Sequence, residues 1–336
     1  MTATTALVTG GGGFLGGAIV RRLVERGWNV RSFSRGRYPE LEGLGVDCRR
    51  GDLADARAVS GAVAGADVVF HVAAKAGIWG PEREYYEANV VGTRHVLEAC
   101  REHGVSRLVH TSSPSVVHAG GDIEGGDESL PYPDHFEAPY PRTKAMAEQE
   151  VLASSDRDLA TVALRPHLIW GPGDTQLVPR IVARGRAGAL KLVDGGRKLV
   201  DSVYVDNAVD AHLLAAERLA PAAPCAGRPY VISNGEPLPV GELVNRILEA
   251  AGVPPVTASV PVGVAVVAGA VLETVHRLLG RREEPRMTRF LARQLASAHW
   301  FDLSAARRDL GYEPRVTLDE GFVRLRAWLR GPEVAR

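Results

Sequence analysis

Cysteine is scarce in this 336-residue chain: Cys48, Cys100 and Cys225 stand far apart and form no CxxC pair. That argues against a disulfide scaffold and against a cysteine-ligated zinc site. An excess of either charge is also missing. Lys+Arg and Asp+Glu number 40 each, so the chain lacks the broad basic footprint of a nucleic-acid binder, and at most a local patch is left. Long apolar runs are absent too. The longest, 260–272, is too short for an ordinary spanning helix and contains Pro261, Gly263 and Gly269. It reads as a packed helix of a substrate lobe; a lid, an oligomer surface or a membrane-resting face are its other possible uses. The opening MTATTALVTG has no basic stretch and runs straight into a strand-like TALVT, unlike a secretory signal. A cytoplasmic enzyme is the expectation.

What is present is globular. Hydrophobic residues make up 45% and charged residues 24%, which excludes wholesale disorder. No internal repeat or low-complexity tail interrupts the chain. Short apolar runs at 6–8, 30–33, 46–49, 67–72, 108–111 and 160–164 alternate with helical patterns at 14–26, 56–64, 82–103 and from 140. This rhythm predicts an α/β fold: a Rossmann-type doubly wound parallel sheet with helices on both faces. After Arg165-Pro166 the rhythm changes and Pro and Gly become frequent. Helices are expected near 206–219, 240–251, 262–279 and 285–297, with one strand at 228–233. The expected organisation is a mainly dinucleotide-binding part, 1–165, and a smaller, mostly helical substrate lobe, 166–336, part of which returns to the sheet.

The turn between the first strand and first helix reads Thr9-Gly10-Gly11-Gly12-Gly13-Phe14-Leu15-Gly16. Gly10, Gly13 and Gly16 satisfy GxxGxxG, and glycine permits positive φ and close backbone approach to a pyrophosphate. The helix start adds free N–H groups and a positive dipole end. The second strand ends Ser32-Phe33-Ser34-Arg35-Gly36-Arg37, without the carboxylate that would bind the ribose hydroxyl of NAD. Ser34, Arg35 and Arg37 suit the 2′-phosphate of NADP instead, which predicts NADP(H) over NAD(H); a solvated basic turn is the other reading. Asp52 and Leu53, after the third strand, are placed to reach an adenine, although Asp52 suits a helix cap equally.

Tyr140 and Lys144 are spaced i,i+4 and share a helix face. A tyrosine of ordinary pKa is a poor acid–base at neutral pH, and a nearby ammonium favours its phenolate. Thr111-Ser112-Ser113 follows a strand at the carboxyl end of the sheet, where a serine hydroxyl can donate to a substrate carbonyl. The acidic, Gly-rich segment 120–129 reads as a mobile loop over the site. Its acidic spacing does not suit calcium, and no metal is expected.

Together these motifs, with His71-Val72-Ala73-Ala74 and Asn89-Val90-Val91-Gly92-Thr93, resemble an extended short-chain dehydrogenase/reductase of the 3β-hydroxysteroid-dehydrogenase-like branch. The stretches 75–80, 112–117, 164–174, 199–207 and 232–239 are similar to branch members that reduce 2-alkyl-3-oxoalkanoic acids in bacterial long-chain olefin biosynthesis. The resemblance implies Tyr140 as acid–base, Lys144 as its electrostatic and ribose partner, Ser113 as carbonyl donor and Asn89 as support of the active-site helix. It places Phe14, Leu15, Ala73, Ala74, Pro166 and His167 beside the cofactor. It further implies a homodimer through 82–103 and 140–155, and a β-lactone synthetase and an α/β-hydrolase as pathway partners. A substrate carboxylate needs a cation, for which His167, Arg180 and Lys191 are the candidates. Alternatives are a hydroxysteroid or other hydrophobic alcohol dehydrogenase, a sugar-nucleotide epimerase or dehydratase, and a non-catalytic dinucleotide sensor.

Overall fold

The computed structural model describes residues 4–331. Seven parallel strands form the central sheet: β1 (Thr5–Thr9), β2 (Asn29–Ser34), β3 (Asp47–Arg50), β4 (Val68–His71), β5 (Arg107–Thr111), β6 (Ala160–Pro166) and β7 (Arg228–Ile232). Their order is β7-β6-β5-β4-β1-β2-β3. The order reverses between β1 and β4, and both strands run the same way, with Ala6 opposite Val30 on one side and Val68 on the other. A crevice must therefore open beyond their carboxyl ends. All seven residues of β6 are buried, as expected of a strand covered on both faces.

Helix α1 (Phe14–Glu25) buries Leu15, Ile19, Val20 and Leu23 at helical spacing and ends before Gly27, whose φ is 75°. Helix α2 (Ala56–Val63) is capped by Asp55, which accepts from the N–H groups of Arg57 and Ala58. Helix α3 spans 82–102 as two α-helical pieces, Glu82–Tyr86 and Gly92–Glu102, joined by one π turn at Glu87–Val91. Such turns concentrate at functional sites, and this one carries Asn89. Helix α4 (Pro139–Ala153) accepts its prolines in the first turn, where the N–H groups have no helical partner.

Beyond β6 the chain forms α5 (Leu177–Arg186), α6 (Val205–Arg218), α7 (Val240–Ala250), α8 (Val262–Leu278), α9 (Arg289–Leu295), α10 (Ser304–Leu310) and α11 (Leu318–Leu329). Trp170, Ile247, Leu248, Leu318 and Leu325 belong to a separate apolar core there. Two expectations need correction. The helix placed at 285–297 is confined to Arg289–Leu295, because Thr288 caps it by accepting from the Leu291 N–H. The segment 120–129 is not an unattached loop. It contains the strand Ile123–Gly126, which pairs with His299–Phe301 and is held by Ile123 N–H to Ala298 O at 2.7 Å.

Candidate active site

The crevice beyond β1 and β4 is an open cleft of about 1000 Å³. Its cofactor side is shaped by what glycine omits. Gly10 has φ 71°, and a Cβ there would lie 2.9 Å from the Cα of Ala73. A Cβ on Gly16 would stand 2.1 Å from the Gly10 carbonyl oxygen, so the first turn of α1 can lie against the β1 turn only with glycine at that position. Gly13 is the N-cap and offers no side chain to the free N–H groups of α1, which are left for an anion. Phe14, Leu15, Asp52, Leu53, Ala73 and Ala74 line the same cleft. The cradle therefore fits a dinucleotide pyrophosphate.

At the end of β2, Ser34 and Arg35 both line the cleft. Ser34 Oγ accepts from the Gly12 N–H at 3.2 Å and keeps its own proton available. Arg37 is corrected: it is outside the cleft lining and donates to Glu42 at 3.2 and 3.1 Å. Asp52 takes part in a local cap, accepting from the Ala54 N–H at 3.0 Å, while remaining part of the wall.

Ser113, at the exit of β5, and Tyr140 and Lys144, on α4, meet at the cleft floor. Ser113 caps a short turn, accepting from Ser115 N–H at 3.2 Å, and pairs with Ser115 Oγ at 2.9 Å. Burial pushes the Tyr140 phenol above its ordinary pKa, and the neighbouring Ser113 hydroxyl opposes the shift. Lys144 is 2% exposed and donates to the Thr111 carbonyl at 2.5 Å and to His110 Nε2 at 3.1 Å. Burial lowers its pKa to about 8. The ammonium is thus anchored to β5, which leaves one of its three N–H groups for a ligand hydroxyl.

His110 was not singled out from the sequence. As the acceptor from Lys144 it must carry its proton on Nδ1, and that buried atom has no partner among the described residues. Burial and the Lys144 charge hold it neutral. Asn89 is placed differently from the other catalytic candidates. It does not line the cleft; its Nδ2 donates to Thr143 Oγ1 at 3.0 Å and its Oδ1 accepts from Lys75 N–H at 2.7 Å. It ties α4 to the 72–80 loop and acts as a positioning residue.

A chain of buried bonds joins Asn89 to the cradle. Thr93 Oγ1 donates to the Asn89 carbonyl at 2.6 Å, so it must accept from His71 Nε2 at 2.9 Å. His71 Nδ1 then accepts from Thr9 Oγ1 at 2.8 Å, and Thr9 accepts from the Ala73 N–H at 3.2 Å. Burial pushes His71 down to about 3, which keeps this tautomer neutral. Farther along α4, Glu148 is fully buried and accepts from Arg165 at 2.6 Å and Tyr132 OH at 2.6 Å. That pair fixes the face that carries Tyr140 and Lys144 to the end of β6.

The opposite wall comes from distant sequence: Leu168, Leu177, Arg180, Phe290, Gln294, His299 and Phe301, with Pro166 and His167 at its root. Leu168 has φ 41°, an unfavourable value for a side chain of its size. His167 donates from Nε2 to His299 Nδ1 at 2.8 Å, and His299 donates to the Gln294 carbonyl at 3.0 Å. Burial and the neighbouring imidazoles hold His167 far below its ordinary pKa. It is therefore neutral and corrected as a cation for a carboxylate. Lys191 is exposed and outside the cleft lining, so it too is corrected. Arg180 is in the lining but shared with Glu284 at 3.1 Å. No group of His, Cys, Asp and Glu suited to a metal occurs among the described residues.

A dinucleotide cradle feeding a Ser–Tyr–Lys set at the sheet's carboxyl edge defines a nicotinamide-dependent oxidoreductase of the short-chain dehydrogenase/reductase type. The chain belongs to the 3-beta hydroxysteroid dehydrogenase/isomerase family, whose model matches residues 7–262. It is 57% identical over 323 residues to a 2-alkyl-3-oxoalkanoate reductase of Stenotrophomonas maltophilia, covering 96% of this chain and 98% of that one. A protein of the same description from Shewanella oneidensis is 51% identical over 332 residues, covering 96% and 86%. Among solved structures, MoeE5 in complex with UDP-glucuronic acid and NAD superposes with a TM-score of 0.73 at 27% identity, covering 97% of this chain and 99% of that one.

Proposed function

We propose that the chain is an NADPH-dependent ketoreductase that converts a 2-alkyl-3-oxoalkanoic acid into the 2-alkyl-3-hydroxy acid in long-chain olefin biosynthesis. The observation that carries the reading is the convergence of Ser113 and Tyr140 beside the anchored Lys144, at the foot of a cleft whose far wall includes Leu168, Leu177, Phe290 and Phe301. Apolar side chains there suit alkyl chains, and the two reductases at 57% and 51% identity support the substrate class. Ser34 and Arg35, in place of a carboxylate, support NADPH.

Reduced nicotinamide, when bound, supplies the hydride for the 3-oxo carbon. Ser113 and Tyr140 hold the carbonyl oxygen through two hydrogen bonds that strengthen as negative charge develops on it. Tyr140 then gives up its phenolic proton to that oxygen. In this reading the ammonium of Lys144, held by Thr111 and His110, stabilises the tyrosinate left behind. Asn89 keeps α4 in register through Thr143. The homodimer through α3 and α4, and handover to a β-lactone synthetase and an α/β-hydrolase, belong to the same reading.

The test is NADPH oxidation, compared with NADH, on a long-chain 2-alkyl-3-oxo acid and on a 3-oxosteroid. Turnover of the oxo acid with preference for NADPH is expected. Turnover of the steroid alone would replace this reading with a hydroxysteroid dehydrogenase.

A further inference from the structure

Large apolar side chains are distributed on α8 in the reverse of the usual order. The face turned to the protein carries Ala265, Gly269 and Glu273, all buried. A Cβ on Gly269 would lie 2.6 Å from the backbone of Thr288, so this seam is closely packed against the start of α9. Glu273 accepts from the Arg289 backbone N–H at 2.7 Å and from its guanidinium at 2.9 Å. The face turned to solvent carries Val264, Val267, Val271, Val275 and Leu278, exposed by 40–81%. Their spacing of three, four, four and three residues sets them in one narrow stripe. Of the eight large hydrophobic residues that are strongly exposed among the described residues, these five and Leu279 make up six. Among the described residues no helix is long and apolar enough to cross a membrane.

The stripe ends in positive charge. Arg277, Arg281 and Arg282 line a second depression of about 530 Å³, together with Trp79, His276, Arg289 and Arg293. Nearby carboxylates are mostly engaged: Glu273 with Arg289 and, at 3.6 Å, with Arg277, Glu284 with Arg180, and Glu137 with Arg293, so Arg281 and Arg282 are the rim arginines without an ion pair among the described residues. Glu283 is left beside Arg281, Arg282 and Arg286, so the rim keeps a positive surplus. Ile78 and Phe290 line both this depression and the catalytic cleft.

We propose that the outer face of α8 and the Arg277–Arg281–Arg282 rim rest on an anionic phospholipid bilayer. The valine stripe lies in the acyl boundary and the guanidinium groups meet lipid phosphates. The occupant follows from the two chemistries presented side by side: an uncharged apolar stripe and phosphate-binding cations at its end. A second copy of this face would supply apolar contact but no surplus of carboxylates for the arginines. Because Ile78 and Phe290 join the rim to the cleft, a water-insoluble two-chain substrate could enter without crossing solvent.

The experiment is sedimentation of the full chain with vesicles of phosphatidylcholine containing phosphatidylglycerol, against pure phosphatidylcholine. Binding to the anionic vesicles is expected to fall about tenfold on raising salt well past the Debye regime or in Arg281→Glu/Arg282→Glu. Val267→Ser/Val271→Ser/Leu278→Ser should lower it by at least about tenfold through lost apolar burial. Both variants should keep NADPH affinity and molecular mass, which shows that the fold is intact. No binding to anionic vesicles overturns the proposal, and equal binding to neutral vesicles overturns its charge assignment. Loss of a dimer in the triple serine variant would assign the stripe to a second copy instead. None of these outcomes depends on turnover, so the vesicle result stands apart from the substrate assignment.

Discussion

On one wall of the cleft, the glycine cradle and the Ser–Tyr–Lys set come from three short stretches: 10–16, 111–113 and 140–144. On the other, His167, Arg180, Phe290, Gln294 and His299 arrive from segments up to 132 residues apart, the separation of the bonded pair His167 and His299. The first wall is made by local spacing. A glycine turn between strand and helix, or i,i+4 on a helix, places its groups wherever that element forms. The second is made by long-range packing and carries no spacing that a reader of the sequence could use. Chemistry common to a superfamily needs the first kind of construction, and substrate choice can be altered on the second without disturbing it.

The largest expected effect is on the first wall. Tyr140→Phe removes the proton donor and should lower kcat by about a thousandfold while leaving NADPH affinity unchanged in a fluorescence titration. Unchanged turnover would break the comparison at its strongest point. Gly16→Ala places a methyl against the Gly10 carbonyl, 2.1 Å from its oxygen, where backbone rather than a flexible side chain must give way. NADPH affinity should fall by about a hundredfold, and stability in a urea titration by about 1–3 kcal/mol. On the second wall, His299→Phe removes the acceptor for His167 and should raise KM for the oxo acid by about tenfold, with NADPH affinity kept. A loss of kcat instead would show that the two walls are not separable.

The smallest effect is in the pH profile. Lys144 titrates at about 8, lowered by burial, so its ammonium is present below that pH and lost as pH rises through it. The rate of reduction, which uses the ammonium, should fall above about pH 8 in a kcat/KM profile. Burial holds His299 at about 4, so the His167–His299 pair should add no break between about pH 5 and 7.

The same contrast explains what could be read in advance. The parallel sheet, the glycine turn and the Tyr140–Lys144 pair were legible because period and spacing encode them, whereas Ser113 was singled out by the family resemblance. His110 was not, since a histidine in a buried strand looks like any other core residue until Lys144 is found 3.1 Å away. Lys75, Tyr38 and Phe290 were missed for the related reason that no motif distinguishes them from loop or helix residues. His167 was placed in the right wall with the wrong charge; its neutrality depends on His299, far away in the chain. The segment 120–129 was misread because its partner strand, His299–Phe301, lies still farther downstream than His299 lies from His167.

The edge strand β7 has a consequence for how the molecule is made. Residues 228–232 pair along β6 from Val162 to Pro166, and β6 is buried over its whole length and mostly apolar. A ribosome that has finished the glycine turn, the serine and the tyrosine has still not supplied the strand that covers β6. Until residue 232 clears the exit tunnel, the nascent sheet presents an open, hydrophobic margin that can join to another chain. Its cofactor cradle is complete early in synthesis, but its protection from aggregation comes more than sixty residues later.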